Sequence, residues 1–529
     1  MKVLGISGRG RDAAAAIAVD GRVIAAASED SFTRVPGIGY SNTGGTPAAA
    51  VAACLATAGL EAADLDALTV VDDGVHADGD DTALREIFGD LPIRAIDALH
   101  ADAIQAAASS RSVGPVVVCS GDRAAISSYT QQDGDLHKLA DVAGAHQLMC
   151  AARAIARSLG VADQDFCRGL DRLSNGAEAE FVPQLRAAVA WSDATGIVVD
   201  QQQLAALLAS FDQPLANAHS MNVRVQQTRR AIAASFTCLL AELLRDAAER
   251  VRSQSGAASV VLGGQIFGNP RLNTELRRLI GDDLSQAVVP EASGRALGAA
   301  LAPAGADRER LDGVALGPAF SDTDIKKTLD SCRLEYVFEP DRPRVLKRVS
   351  KMLSQGKVVA WFQGPMAFGP RPMGTRSVLC DPSSRYARHN VNEYLRQVPL
   401  DEPLPVAFAP SAAARCLTTA AGSPFVVLDA DVKSEWRERL TAALDWRQNV
   451  RVHAPRSNHA PELCELLEYH HDRTGVPGLI ETNLAGPGEP IACTPREAIK
   501  TVYSSAIDAL VIGRFILMKD YWLLQAHVD

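Results

Sequence analysis

The chain has 529 residues, enough for several domains at roughly 150 residues each, which excludes a single small module. Its 53 Lys and Arg against 63 Asp and Glu leave a formal charge of −10, which argues against holding nucleic acid by a bulk positive field. Hydrophobic residues at 47% and charged residues at 22% match an ordinary soluble globular protein, and an Ala-rich chain with 5% aromatics points to helix-rich packing.

Residues 1–21 lack the long apolar core and small-residue cleavage site of a signal peptide, and Arg9, Arg11 and Asp12 interrupt them early. They are expected to open as a strand. No run of eighteen apolar residues is free of charge, so no membrane span and no membrane partner are expected. Ten cysteines stand singly with no C-x-x-C pair, the pattern of reduced thiols in a cytoplasmic chain without structural zinc.

Short apolar runs at 2–6, 14–19 and 23–27, with Asp20-Gly21 between the last two, predict a strand followed by a hairpin. Thr46-Pro47 opens a predicted helix over 46–60, and 67–71 reads as a strand. Residues 115–119 and 125–129 flank Ser120-Gly121-Asp122 as a second hairpin of the same kind, which suggests an internal duplication. Between 221 and 251, Ile232, Phe236, Leu239, Leu240, Leu243 and Leu244 recur at helical spacing, so a long amphipathic helix leads to a strand at 259–262 that stops at Gly263-Gly264. The segment 289–302 is rich in Gly and Ala around Gly294, small enough to let a helix approach a sheet or a ligand. A more polar stretch, 303–343, holds the expected domain boundary. A helix at 344–355 and a strand at 358–362 then enter a loop, 363–377, carrying three prolines, three glycines, Arg371 and Arg376. Two guanidinium forks on a stiffened loop can grip a planar or tetrahedral oxyanion, and they can equally tie the loop down. His470-His471, before Thr474-Gly475, sits at a predicted helix end where the dipole favours cations, so a structural role suffices.

The runs QGPMAFGPRPMGTRSVLCDP, TGVPGLIETNLAGPGEPIACTPREAI and DALVIGRFIL resemble the nodulation- and cephamycin-type O-carbamoyltransferases. So do the opening VLGISGRGRDAAAAIAVDGRVIAAASEDSFTR and the turn VVLGGQIFGN, so the resemblance runs end to end. It implies an α/β protein of two domains: an actin-like (ASKHA) domain with duplicated β units over 1–320, and a YrdC-like α/β domain over 335–529. In that family the second domain joins carbamoyl phosphate and ATP into carbamoyl adenylate, which the first passes to a substrate hydroxyl with the help of bound iron. Such chemistry needs cationic clamps for the donor and shelter from water for the activated carbonyl.

The sequence departs from the family pattern at the positions that carry this chemistry. The H-H-x-x-H motif falls on His100 with Ile104 in its partner's place, or in another register on Asp102 in place of the third His. The V-D-G of the second unit reads Cys119-Ser120-Gly121, and the Asp of D-x-G-x-A-x-G is Ala292. His100, Asp102 and Asp122 are a thin donor set for a divalent ion, so no metal is expected. The family's proton-accepting His is Arg11, which cannot serve as a base because its pKa stays above ~12. Asp12 keeps the following carboxylate and could be a base if desolvated; Arg11 could hold an anion. Pro365, Ala367 and Pro487 replace charged residues, whereas Gln363, Arg371, Arg376, Ser377, Thr482, Asn483 and Glu489 remain as candidates for binding an anion or nucleotide. Gly263, Gly264 and Gly294 are the expected turns for nucleotide approach.

Three readings follow. The first is ATP-dependent, iron-free transfer of a carbamoyl or related acyl group to a small molecule in natural-product or antibiotic biosynthesis. The second is a catalytically degenerate paralogue that forms a homodimer, or a heterodimer with an active relative. The third is changed chemistry, condensation or cyclisation of an activated acyl group, which Ala292, Leu484 and Ala485 would suit by making the site less polar.

Overall fold

A computed structural model describes the chain except residues 75–81, 111–113, 133, 163–165, 216–222, 282–283, 288, 290, 419–424, 427 and 520–529. Small apolar residues carry the chain into a meander at once: β1 (Lys2–Ser7), β2 (Ala14–Val19) and β3 (Arg22–Ser28) run antiparallel. Asp20 and Gly21 make the turn between β2 and β3 with φ of 48° and 80°, the left-handed backbone that matches a two-residue turn to strand twist. β4 (Ala67–Asp72) lies parallel to β1 and β5 (Ile93–Asp97) parallel to β4, giving the order β3-β2-β1-β4-β5.

The same plan then repeats. β6 (Val116–Ser120), β7 (Ala125–Gln132) and β8 (Asp135–Asp141) form a second meander, and β9 (Val189–Ser192) pairs with β10 (Gly196–Val199) as a separate hairpin. β11 (Val260–Gly263) lies parallel to β6 and β12 (Leu284–Gln286) parallel to β11, in the order β12-β11-β6-β7-β8. Each sheet is thus a meander extended beyond its first strand by two parallel strands in succession, the duplicated actin-like frame expected from the sequence. The long helix is present as Val223–Ser255, with all six predicted apolar positions buried; its predicted start at Met221 lies outside the described residues.

Two helices lie between the sheets. Ala98–Ser109 packs on β6 and β11, Arg295–Leu301 packs on β1 and β2, and the two pack on each other. Small residues make this approach possible: a Cβ at Gly298 would lie 2.0 Å from the Ala101 carbonyl oxygen, and one at Gly5 would lie 2.4 Å from Ala296 O. Because those neighbours are backbone, they cannot rotate aside. Gly298→Ala is therefore expected to lower stability by about 1–3 kcal/mol, read as a shifted urea midpoint.

The third sheet has nine strands: β13 (Val337–Phe338), β14 (Val359–Phe362), β15 (Arg376–Cys380), β16 (Pro405–Phe408), β17 (Leu428–Asp431), β18 (Asn449–His453), β19 (Gly478–Asn483), β20 (Ala509–Ile512) and β21 (Phe515–Met518). Their order is β13-β21-β20-β14-β15-β19-β16-β18-β17. β14 and β15 pair antiparallel with Phe362 opposite Arg376, so the Gly/Pro-rich loop is the crown of one long hairpin. The helices Arg342–Ser354 and Pro461–Thr474 pack together, and the buried His470 ring joins them by bonding Ser350 Oγ at 2.9 Å, a structural role as expected. The polar segment 303–343 is not a free linker throughout: Leu316 O accepts from Ala26 N (3.0 Å), while Gly317 N donates to Met366 O (2.8 Å) and Phe368 N to Val314 O (2.6 Å). Residues 314–318 thus stitch the first sheet to the crown of the hairpin. No helix among the described residues is long and apolar enough to cross a membrane.

Candidate active site

Between the duplicated sheets lies an open cleft of about 680 Å³, lined by Asp97, His100, Asp122, Arg123, Tyr129 and Lys138 among others. Asp97 caps the Ala98–Ser109 helix, accepting from Leu99 N and His100 N, and so fixes His100 on the first turn facing the cleft. Burial lowers the His100 pKa, Asp97 opposing and Arg308 assisting, which keeps the ring neutral against Tyr129 at 5.6 Å.

Beneath the cleft, Arg295 starts its helix with a guanidinium only 4% exposed. Its Nε donates to Asp102 Oδ2 (3.0 Å), Nη1 to Asp122 Oδ2 (2.7 Å), and Nη2 to Asp122 Oδ1 and Ser120 Oγ (3.0 Å each). Burial pushes Asp102 up to about 7, with Arg295 pulling the other way. Burial also opposes ionisation of Asp122, but the hydrogen bonds and charge of Arg295 overcome it and hold that carboxyl down to about 2. Both carboxylates expected near the family's metal position are thus committed to an internal cation, and no group of three or more His, Cys, Asp or Glu side chains suited to a metal occurs among the described residues. This donor set does not fit iron: a fixed guanidinium already stands between the two carboxylates.

The other candidates are dispersed. Asp12 has φ of 54° and lies 3.4 Å from Arg11 Nε; its side chain is 36% exposed, so the desolvation its role as a base required is not met. Their turn borders the cleft, with Gly10 N 3.5 Å from the lining residue Asp73. The three glycines face protein rather than an opening. A Cβ at Gly264 would lie 2.4 Å from Cys119 O, one at Gly263 2.7 Å from Ala106 Cβ, and one at Gly294 2.1 Å from Val289 O. Strand and helix contact explains their small size, which corrects the expectation of nucleotide-approach turns.

The arginine pair does not converge. Arg371 reaches out of the hairpin crown to the first domain, donating to Glu291 Oε1 (3.0 Å) and Gly268 O (3.2 Å). Arg376 turns inward, fully buried, its Nη1 donating to the carbonyls of Gln363, Gly364 and Thr375 (2.9–3.0 Å) and its Nη2 to Pro318 O (3.1 Å). Its guanidinium lies 3.6 Å from the centre of the Phe362 ring, and burial pulls its pKa down to about 9. The expected oxyanion clamp is therefore a pair of ties: one holds the first domain and the other closes the loop. Gln363 donates to Gly513 O (2.9 Å) and Asn483 to Pro370 O (3.1 Å), while Thr482 is buried in β19 opposite Val378. Glu489 bonds Lys500 (3.0 Å), which lowers its pKa, and lies 3.7 Å from Arg34 of the first domain. Ser377 donates to Glu481 Oε1 at 2.6 Å. Glu481 in turn meets His453, a residue that no motif singled out because its partner lies 28 positions away on a strand that does not adjoin its own.

Residues 350–519 match the family described as carbamoyltransferase C-terminus. An uncharacterised protein of Synechocystis is 28% identical over 62% of this chain and 57% of its own length. Nodulation protein NolO of Bradyrhizobium diazoefficiens is 26% identical over 55% of each chain. Nodulation protein NolNO of Sinorhizobium fredii is 28% identical over 50% of this chain and 40% of its own. The chain thus spans about half the length of the curated relatives it matches. Residues 350–519 thus match a carbamoyltransferase carboxyl-terminal region, and the chain is similar to these nodulation proteins over about half its length.

Proposed function

We propose that the chain is a cytoplasmic transferase that uses ATP to activate a carbamoyl or related acyl group and passes it to a small-molecule acceptor in natural-product biosynthesis, without iron. The observation that supports this reading is the open cleft above Arg295, whose rim carries Arg123 and Lys138, paired with Asp97 (3.6 Å) and Asp141 (2.8 Å), so that an anionic acyl donor or nucleotide would have to displace those aspartates to reach them. Arg295 would hold Asp102 and Asp122 in place and keep the floor of the cleft shaped without a divalent ion. Neutral His100 and Tyr129 would orient the acceptor by hydrogen bonding. The test is pyrophosphate release from ATP and carbamoyl phosphate, run on protein whose metal content has been measured. Turnover by metal-free protein is the expected result; no release with any hydroxyl acceptor, or turnover that tracks bound iron, rejects the reading.

A second reading, a degenerate paralogue working as a partner subunit, is favoured by the commitment of Arg371 and Arg376 to protein contacts. Purification from the native host separates the two, since a partner subunit would carry an active relative with it.

A further inference from the structure

Besides two cations, the cleft between the duplicated sheets is lined by four carboxylates, one phenol and one imidazole. The protein itself engages the carboxylates. Asp73 accepts from Gly10 N (3.5 Å), Asp122 is held by Arg295, and Asp141 is bound by Lys138 and Ser127 Oγ. Asp97 accepts from Leu99 N (2.9 Å) and His100 N (3.2 Å) through one oxygen, and its other oxygen lies 3.6 Å from Arg123 Nη2. Burial, with the charges of Asp97, Asp141 and Asp102, raises the Tyr129 pKa, so the phenol keeps its proton. Among the lining groups, His100 is left as the one with a basic lone pair to offer.

Two contacts set this ring in place. The Asp97 cap fixes the backbone of the first helical turn, and a hydrogen bond from the ring to the Leu136 carbonyl on β8 makes one nitrogen the donor. In a neutral imidazole the other nitrogen is then an acceptor. The charged and titratable groups acting on the ring are Asp97 at the start of its own helix, Asp135 on β8, Arg308 after the Arg295 helix, and the facing Tyr129. His100 also stands between the two cations of the rim. Asp97 links its helix to Arg123, while Tyr129, against its ring, pairs across β7 and β8 with Lys138.

We propose that His100 is the general base that takes the proton of the acceptor hydroxyl in this cleft. The inference deepens the transferase reading and rests on it for the reaction. A donor phosphate that displaces Asp97 and Asp141 from Arg123 and Lys138 brings its acyl carbon beside the ring. The nitrogen not bonded to Leu136 takes the hydroxyl proton, while the oxygen's electron pair forms the bond to the carbonyl carbon of an acyl phosphate or acyl adenylate. The bond from that carbon to the phosphate oxygen breaks, and the phosphate or nucleotide leaves with the electron pair. Asp97 and Asp135 meet the imidazolium charge, and the proton then passes to the departing phosphate or to solvent. Asp97 is a positioning residue in this scheme.

The test uses the full chain with ATP and carbamoyl phosphate, water and glycerol serving as acceptors. His100→Gln is expected to lower kcat about 10²–10³-fold, with KM for carbamoyl phosphate nearly unchanged. His100→Ala should lose as much and regain about tenfold on addition of free imidazole, which a merely structural ring would not allow; circular dichroism confirms that each variant folds. A His100→Gln enzyme with wild-type kcat overturns the proposal, and so does a folded His100→Ala enzyme that imidazole leaves unchanged. In wild-type protein carrying 15N-labelled histidine, the His100 ring should show one neutral tautomer at neutral pH, and its unprotonated nitrogen should shift on addition of carbamoyl phosphate with ATP. If the wild type shows no turnover, the transfer reading is what fails; there, and where a variant fails to fold, these ring signals judge the site. A single neutral tautomer whose bare nitrogen shifts with those probes upholds the base, whereas a charged ring, or no shift, overturns it.

Discussion

Replacing Arg295 with methionine is expected to destabilise the protein by about 3–5 kcal/mol, read from its urea midpoint. The reason is the charge left behind. Arg295 satisfies Asp102, whose side chain is 2% exposed, and reaches Asp122 with two further nitrogens. Methionine fills part of the volume but leaves a buried carboxylate and the Ser120 hydroxyl without their donor. The double variant Arg295→Met with Asp102→Leu should recover much of the loss, because an apolar pair of similar volume needs no compensating charge. A loss below about 1 kcal/mol in the single variant would show that the guanidinium is not what holds this cluster together.

The cluster also sets a pH dependence whose sign follows from Asp102. Its pKa in the folded protein, about 7, lies above the ordinary aspartate value of 3.8, so the folded state binds the proton more tightly. That contribution to stability is fully present below about pH 4 and is lost as the pH rises through 7. Asp122, held down to about 2, works oppositely: its contribution is present above about pH 4 and lost as the pH falls through 2. Asp102→Asn should therefore flatten the stability profile between about pH 4 and 7 while leaving the acid limb below it.

Replacing Arg451 with methionine is expected to cost about 3–5 kcal/mol and to loosen the two domains. Arg451 ends in a fork that meets Asp171 of the first domain through Nη1 (2.9 Å) and Nη2 (3.0 Å), and its Nε meets Asp429 of β17 at 3.0 Å. All three side chains are at least 85% buried, with exposures of 12%, 10% and 15%. Burial works against the Arg451 charge, and the two aspartates more than offset it, raising its pKa. Losing the cation leaves both carboxylates desolvated at the domain interface. Limited proteolysis should then cut within 303–343 faster than in the parent. The exposed pair Arg342 and Glu465, at 31% and 52%, provides the control: Arg342→Met should change stability by less than about 1 kcal/mol.

Local order accounts for what could be read along the chain. Hairpin turns, the 3.6-residue spacing of Ile232 to Leu244 and the Gly/Pro punctuation of 363–377 depend on neighbours a few residues away, and each stands where the pattern placed it. The repeat of the β units was visible from its first hairpins, although β5, β8 and the small sheet of β9 and β10 carried no comparable signal. The resemblance to carbamoyltransferases, matched over residues 350–519, was legible because motifs such as the hairpin crown kept their residue types in order.

The destination of each charged side chain was a different matter. Arg371 and Arg376 stand five residues apart, yet one turns to Glu291, 80 positions away, and the other into carbonyls of its own loop. Arg295 meets Asp122 across 173 positions and Arg451 meets Asp171 across 280. His453 finds Glu481 past an intervening strand. Composition and periodicity determined the elements and the doubled frame, because those follow from backbone preferences and the burial of apolar faces. Whether a guanidinium grips a ligand or another part of the chain was decided by packing alone, because a charge finds its partner only when distant segments have been brought within a few ångströms.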